Sequence, residues 1–135
     1  MTENDEVNEW VVKAETDYKA ALDLARRRKD PLPDSVCFHC QQCAEKYLKA
    51  FLIARHIPFP KTHDLILLND MCSAQDGSFT RLRDFLEELI GYDVAIRYPG
   101  EEATVEEAQV AVAAMKRIRQ FVRAKLGISA KRGTK

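Results

Sequence analysis

Apolar residues recur three and four apart along most of the chain, and proline interrupts that rhythm at only three places: Pro31 with Pro33, Pro58 with Pro60, and Pro99. Such spacing lays apolar side chains along one face of a helix, and proline ends a helix it cannot continue. The first segment, from about Glu6 to Arg28, carries Val7, Trp10, Val11, Ala14, Tyr18, Ala21, Leu22 and Ala25 on one face. A second helix starts near Asp34 or Ser35, either of which suits a cap, and runs to about His56. "KTHDLILLNDMC" reads as a short third helix with Thr62 as its N-cap. The fourth, near Phe79 to Ile96, repeats Leu82, Phe85, Leu86 and Leu89 and closes at Arg97-Tyr98-Pro99-Gly100. The last opens with Thr104 and Glu107 at capping-box spacing and carries Val105, Ala108, Val112, Met115, Ile118, Val122 and Leu126 as its stripe.

Four long helices and one short one, joined by brief loops, predict an all-α fold, an antiparallel up-and-down helical bundle. Residues 1–127 are expected to form a single domain, and 128–135 a basic, flexible C-terminal tail. A chain of 135 residues, 46% hydrophobic, can bury a helical core and fold alone. Lys+Arg and Asp+Glu are both 21, so net charge selects no nucleic-acid or membrane partner. The charge is nonetheless uneven. "ARRRKD" at Ala25–Asp30 and the C-terminal end are basic, whereas Asp84, Glu87, Glu88, Glu101, Glu102, Glu106 and Glu107 are clustered acids. No run approaches the roughly 18 consecutive apolar residues of a membrane span, and "MTENDEVNEW" has no signal-peptide core. The expected location is the cytoplasm, where thiols stay reduced.

Cys37, Cys40 and Cys43 stand three apart around His39, which invites a metal. With Val36 at zero and about 100° per residue, Cys40 lies near 40°, Cys37 near 100° and Cys43 near 340°. Tyr47, Phe51, Ala44, Leu48 and Ala54 occupy the same arc, so all three cysteines belong to the core stripe. Cys37 and Cys43 would be separated by roughly 9 Å along the axis, too far for one ion to hold both. An iron–sulfur pattern would need a further cysteine where Tyr47 stands. No metal or cofactor is expected. The rotation also gathers His39, Gln42, Lys46 and Lys49 on another side, a polar strip that reads either as a solvated face or as a surface for a nucleotide or other anion.

The run "FHCQQCAEKYLKAFLIARHIPFPKTHDLILL", followed by "YDVAIRYPGEEATVEEA", resembles the HEPN family of small helical bundles over most of the chain. The matching parts are Phe38-His39-x-x-Gln42-x-x-Glu45-Lys46-x-x-Lys49, then Thr62-His63-Asp64-Leu65, then Arg97-Tyr98-Pro99. Members commonly carry alanine at the positions of Cys40 or Cys43, which agrees with a packing role. The resemblance implies a nucleotide- or RNA-phosphate-binding module, a homodimer, and a minimal nucleotidyltransferase as partner in a two-gene, toxin–antitoxin-like system. It points to Lys46, His63, Arg97, Tyr98, Gln42, His39 and Lys49 as binding residues. Ribonuclease members carry histidine after an arginine with four to six residues between; after Arg97 those positions hold Glu102, Ala103 and Thr104. Arginine stabilises phosphorane charge but does not transfer protons at neutral pH. Catalysis is therefore not expected from that motif. Two alternatives stay open: a divergent, metal-independent ribonuclease toxin using Arg97 with His63 or His39, and a purely structural dimerisation domain.

Overall fold

The computed structural model describes residues 2–95 and 97–129, and these contain helices and no strand. The order is α1 (Glu3–Ala25), α2 (Pro33–Ala54), α3 (Leu65–Gln75), a 3-10 helix (Gly77–Leu82), α4 (Arg83–Glu87) and α5 (Val105–Lys125). The helical ends are written into local sequence. Thr2 and Asp5 close a capping box on α1, Thr104 and Glu107 another on α5. Gly127 has φ 74° and lets the Ile128 amide return to the Arg123 carbonyl at 2.8 Å, ending α5 in a Schellman turn. His56 does the same at the end of α2, with φ 63° and Ile57 N to Leu52 O at 2.9 Å.

The core sits around α2, which packs against α1, α5 and α3. Tyr47, Leu48, Phe51 and Leu52 are inaccessible, and so are Cys37, Cys40, Cys43 and Cys72. Phe79, from the 3-10 helix, lies 4.4 Å from the Phe51 ring and 5.1 Å from Phe121, joining three elements through one aromatic stack. No helix among the described residues is long and apolar enough to cross a membrane.

Several expectations need correction. The fourth helix does not run from Phe79 to Ile96: it is a 3-10 helix followed by the five residues of α4. Three long helices result, rather than four. Leu82, Leu86 and Leu89 still face the core, but tight turns take over after Glu87, and Gly91 at φ 93° lies outside right-handed helical geometry. Arg97-Tyr98-Pro99 therefore lies in an irregular strap between α4 and α5 rather than at a helix end. Helix α1 runs from Glu3 to Ala25, so the basic run leaves the helix. Pro33 opens α2 at its first turn, and Asp34 is no cap: its Oδ1 accepts from the Ala103 amide at 2.7 Å, tying the start of α2 to the end of the strap. Asp64, not Thr62, caps α3, accepting from Leu67 N at 3.0 Å, so His63 precedes the helix. Most of the expected tail, residues 130–135, lies outside the described residues, as does Ile96.

Candidate functional site

The polar strip of α2 is only partly open to solvent: His39, Gln42 and Lys46 are half-buried and Lys49 is buried. Helix α2 is enclosed on nearly every side, and its charged residues are met by carboxylates of the same chain. Asp17, from α1, takes Lys46 Nζ at 2.6 Å on one oxygen and lies 2.8 Å from His39 Nδ1 with the other. One turn further along, Glu45 takes Lys49 Nζ at 2.8 Å and sits 2.9 Å from His63 Nδ1. Lys49 also lies 5.5 Å and 5.7 Å from the Trp10 and Phe59 ring centroids. Gln42 donates to Gln41 at 2.7 Å. A charge removed from water must find a partner, and these charges have found theirs within the fold. His39, Lys46 and Lys49 are therefore engaged by carboxylates within the fold, and Gln42 by Gln41.

His63 differs from them. Its side chain is 60% exposed, while Glu45 beside it is 4% exposed. The carboxylate can only accept, so the ring proton sits on Nδ1 and the Nε2 edge is left without a partner among the described residues. Gln41 Nε2 reinforces the pair, donating to Glu45 at 3.2 Å and to the His63 carbonyl at 3.3 Å. The ring lines a cavity of about 490 Å³ together with Gln41, Thr62, Asp64, Leu65, Leu89, Ile90, Gly91 and Asp93. An imidazole fixed at one nitrogen and open at the other can accept, donate or shuttle a proton.

Arg97 holds the other side of this wall. Its guanidinium donates from Nη1 to the Gly91 carbonyl and from Nε to the Glu101 carbonyl at 3.2 Å, and stacks 5.6 Å from the Tyr92 ring. Gly91 is thus shared: it lines the His63 cavity and accepts from Arg97. Arg97 itself does not line that cavity, and Tyr98 points outward at 74% exposure. The structure brings His63, before α3, and Arg97, in the strap, to either side of Gly91; Lys49 shares Glu45 with His63, while His39 and Lys46 meet at Asp17. At the positions after Arg97, Glu102 accepts from Gly100 N at 2.8 Å, Ala103 is buried, and Thr104 caps α5.

The partners that matter most, Asp17, Gln41 and Glu45, were missed as site residues. Asp17 left a signal: it falls between Ala14 and Ala21 on the apolar stripe of α1, where a carboxylate needs a counter-charge. A second buried network lies at α1, α2 and α5. Arg119 grips Glu15 with two bonds of 2.7 and 2.9 Å, Tyr47 donates to the same carboxylate, and Arg123 donates to Tyr47 Oη at 3.0 Å. Burial pushes the Glu15 carboxyl up, but the bonds from Arg119 and Tyr47 outweigh it and hold it below its ordinary value. Among the described residues no group of three or more His, Cys, Asp or Glu is arranged to hold a metal ion.

A family model described as HEPN domain matches residues 7–125. No curated protein and no solved structure matches the chain.

Proposed function

Because the chain belongs to the HEPN domain family, whose members are generally tied to nucleotides or RNA, we propose that it is a nucleotide- or RNA-phosphate-binding module lacking the Arg-x4–6-His ribonuclease motif. In this reading it works as a homodimer and partners a minimal nucleotidyltransferase in a two-gene, toxin–antitoxin-like system, with the long helices of the bundle antiparallel. The observation that carries the binding site is His63, held by buried Glu45 with its other edge open to a cavity. Asp64 and Asp93 on that cavity accept from sugar hydroxyls or base amino groups but repel phosphate. A ligand therefore places a sugar hydroxyl or base amino group against His63 Nε2 and the carboxylates, and its phosphate toward the Arg97 side of the strap. Titration of labelled single-stranded RNA and of mononucleotides tests this. His63→Ala and Arg97→Ala each weaken binding about tenfold, roughly 1.4 kcal/mol, while His39→Ala leaves it unchanged. Equal affinity in all four proteins, or no binding at millimolar ligand, overturns the reading.

The Glu45–His63 pair also favours a second reading, a divergent ribonuclease, because a carboxylate that orients imidazole is the usual support for proton transfer. Cleavage of single-stranded RNA, abolished by His63→Ala and retained by His39→Ala, distinguishes it. Gel filtration with the product of a neighbouring nucleotidyltransferase gene tests the partnership: two separate peaks at micromolar concentration count against it.

A further inference from the structure

Asp93 stands apart from every other carboxylate that the fold withdraws from solvent. Glu15, Asp17, Glu45 and Asp76 each meet a cation of the chain, and Asp34 accepts the Ala103 amide. Asp93 is likewise half-buried, yet it forms no hydrogen bond or ion pair among the described residues. It lines the same cavity of about 490 Å³ as the open edge of His63. A carboxylate kept partly from water without a partner destabilises the free chain, and a ligand that brings donors relieves it.

The other side chains of the cavity ask for donors too. With the His63 proton on Nδ1 toward Glu45, Nε2 of the neutral ring accepts. Asp64 uses Oδ1 on the Leu67 amide, and its Oδ2 has no partner among the described residues. Gln41 Nε2 is spent on Glu45 and the His63 carbonyl, which leaves the Thr62 hydroxyl as the free side-chain donor. Neither lysine nor arginine lines the space, and Leu65, Leu89 and Ile90 give it apolar walls. A flat ligand with apolar faces and adjacent donors along one edge answers this arrangement.

Among the bases of RNA, only guanine sets two donors side by side, N1–H and the 2-amino group. A carboxylate accepts such a pair through two parallel bonds, as it accepts a guanidinium. Adenine and cytosine place a ring-nitrogen lone pair beside the amino group, and uracil flanks its N–H with carbonyls, so each would turn a lone pair on a carboxylate.

We propose that the His63 cavity is a guanine site and that Asp93 selects the base, whether guanine arrives as a free nucleotide or within single-stranded RNA. This assignment rests on the nucleotide-binding reading above and gives it a base. Arg97 shares Gly91 with the cavity and has Nη2 unspent for the phosphate. Its charge also disfavours a ligand that is simply a cation.

Calorimetric titration of the full chain with GMP, IMP, XMP, AMP, CMP, UMP and agmatine tests this. GMP binds about tenfold or more tightly than AMP, CMP or UMP, and IMP, which lacks the 2-amino group, falls between. Asp93→Asn, nearly equal in size and checked for folding by its melting curve, weakens GMP by about tenfold and strengthens XMP, whose 2-carbonyl complements the new amide. A purely structural role for Asp93 would not exchange one base for another. Oligouridylates with and without one central guanosine separate the two sources: a guanosine that strengthens RNA binding while GMP stays weak assigns the site to RNA, and the reverse assigns it to the free nucleotide. No binding of any nucleotide or RNA at millimolar concentration overturns this site together with the binding reading. Equal affinity for all bases, lost in His63→Ala, overturns the guanine assignment alone. So does IMP binding as tightly as GMP, a base preference unchanged in Asp93→Asn, or agmatine binding as tightly as GMP.

Discussion

Burial holds the Cys37 thiol up at about 11 and Cys72 at about 12, and pushes Cys40 and Cys43 higher still, so at neutral pH all four sulfurs act as small apolar groups. The native chain should resist iodoacetamide at pH 8, with all four thiols reacting once it is unfolded. Rapid alkylation of Cys40 or Cys43 in the native state, followed by mass spectrometry, would sink that expectation. Because the unfolded chain ionises its thiols near 9 and the folded chain does not, stability falls as pH rises above that value. The core placement of Cys37, Cys40 and Cys43 was legible from helical angle alone. The fate of His39, Lys46 and Lys49 was not, because an angle says which side of a helix a residue occupies and not what stands opposite.

Among the elements, α5 is the one most fully specified by its own residues: a capping box at Thr104 and Glu107, a continuous apolar stripe, and a glycine turn after Leu126. Thr104→Ala is expected to destabilise the protein by about 1 kcal/mol, read from urea unfolding, because it leaves amides of the first turn without an acceptor. An unchanged midpoint would mean that the box contributes nothing net. The fourth helix shows the opposite case. Its apolar repeat was real, since Leu82, Leu86 and Leu89 are buried, but one buried face does not require continuous helix. Asp76 caps the 3-10 helix, and Gly91 turns the chain into the strap that carries Arg97.

Over the whole molecule, Glu15 with Tyr47, Arg119 and Arg123 fastens α1, α2 and α5 together. With the Glu15 carboxyl held below its usual value of 4.5, this stabilisation is present above about that pH and drains away as pH falls through the folded-state value. Glu15→Gln should therefore flatten the acid side of the stability profile. At pH 7 it should cost about 3 kcal/mol, because two buried guanidinium groups lose their counter-charge. An acid limb identical to wild type in chemical denaturation would refute this. The sequence by itself determined the all-helical class, most helix positions, the apolar stripes, the capping box of α5 and the absence of histidine at the motif positions after Arg97. These follow from neighbours within a few residues and from the fixed period of a helix. Only the tertiary structure decided that Asp17 meets Lys46, that Glu45 fixes His63, that Arg119 reaches Glu15 and that Arg97 staples the strap. Most of those contacts join side chains far apart in the chain, set by how each helix is rotated against the next.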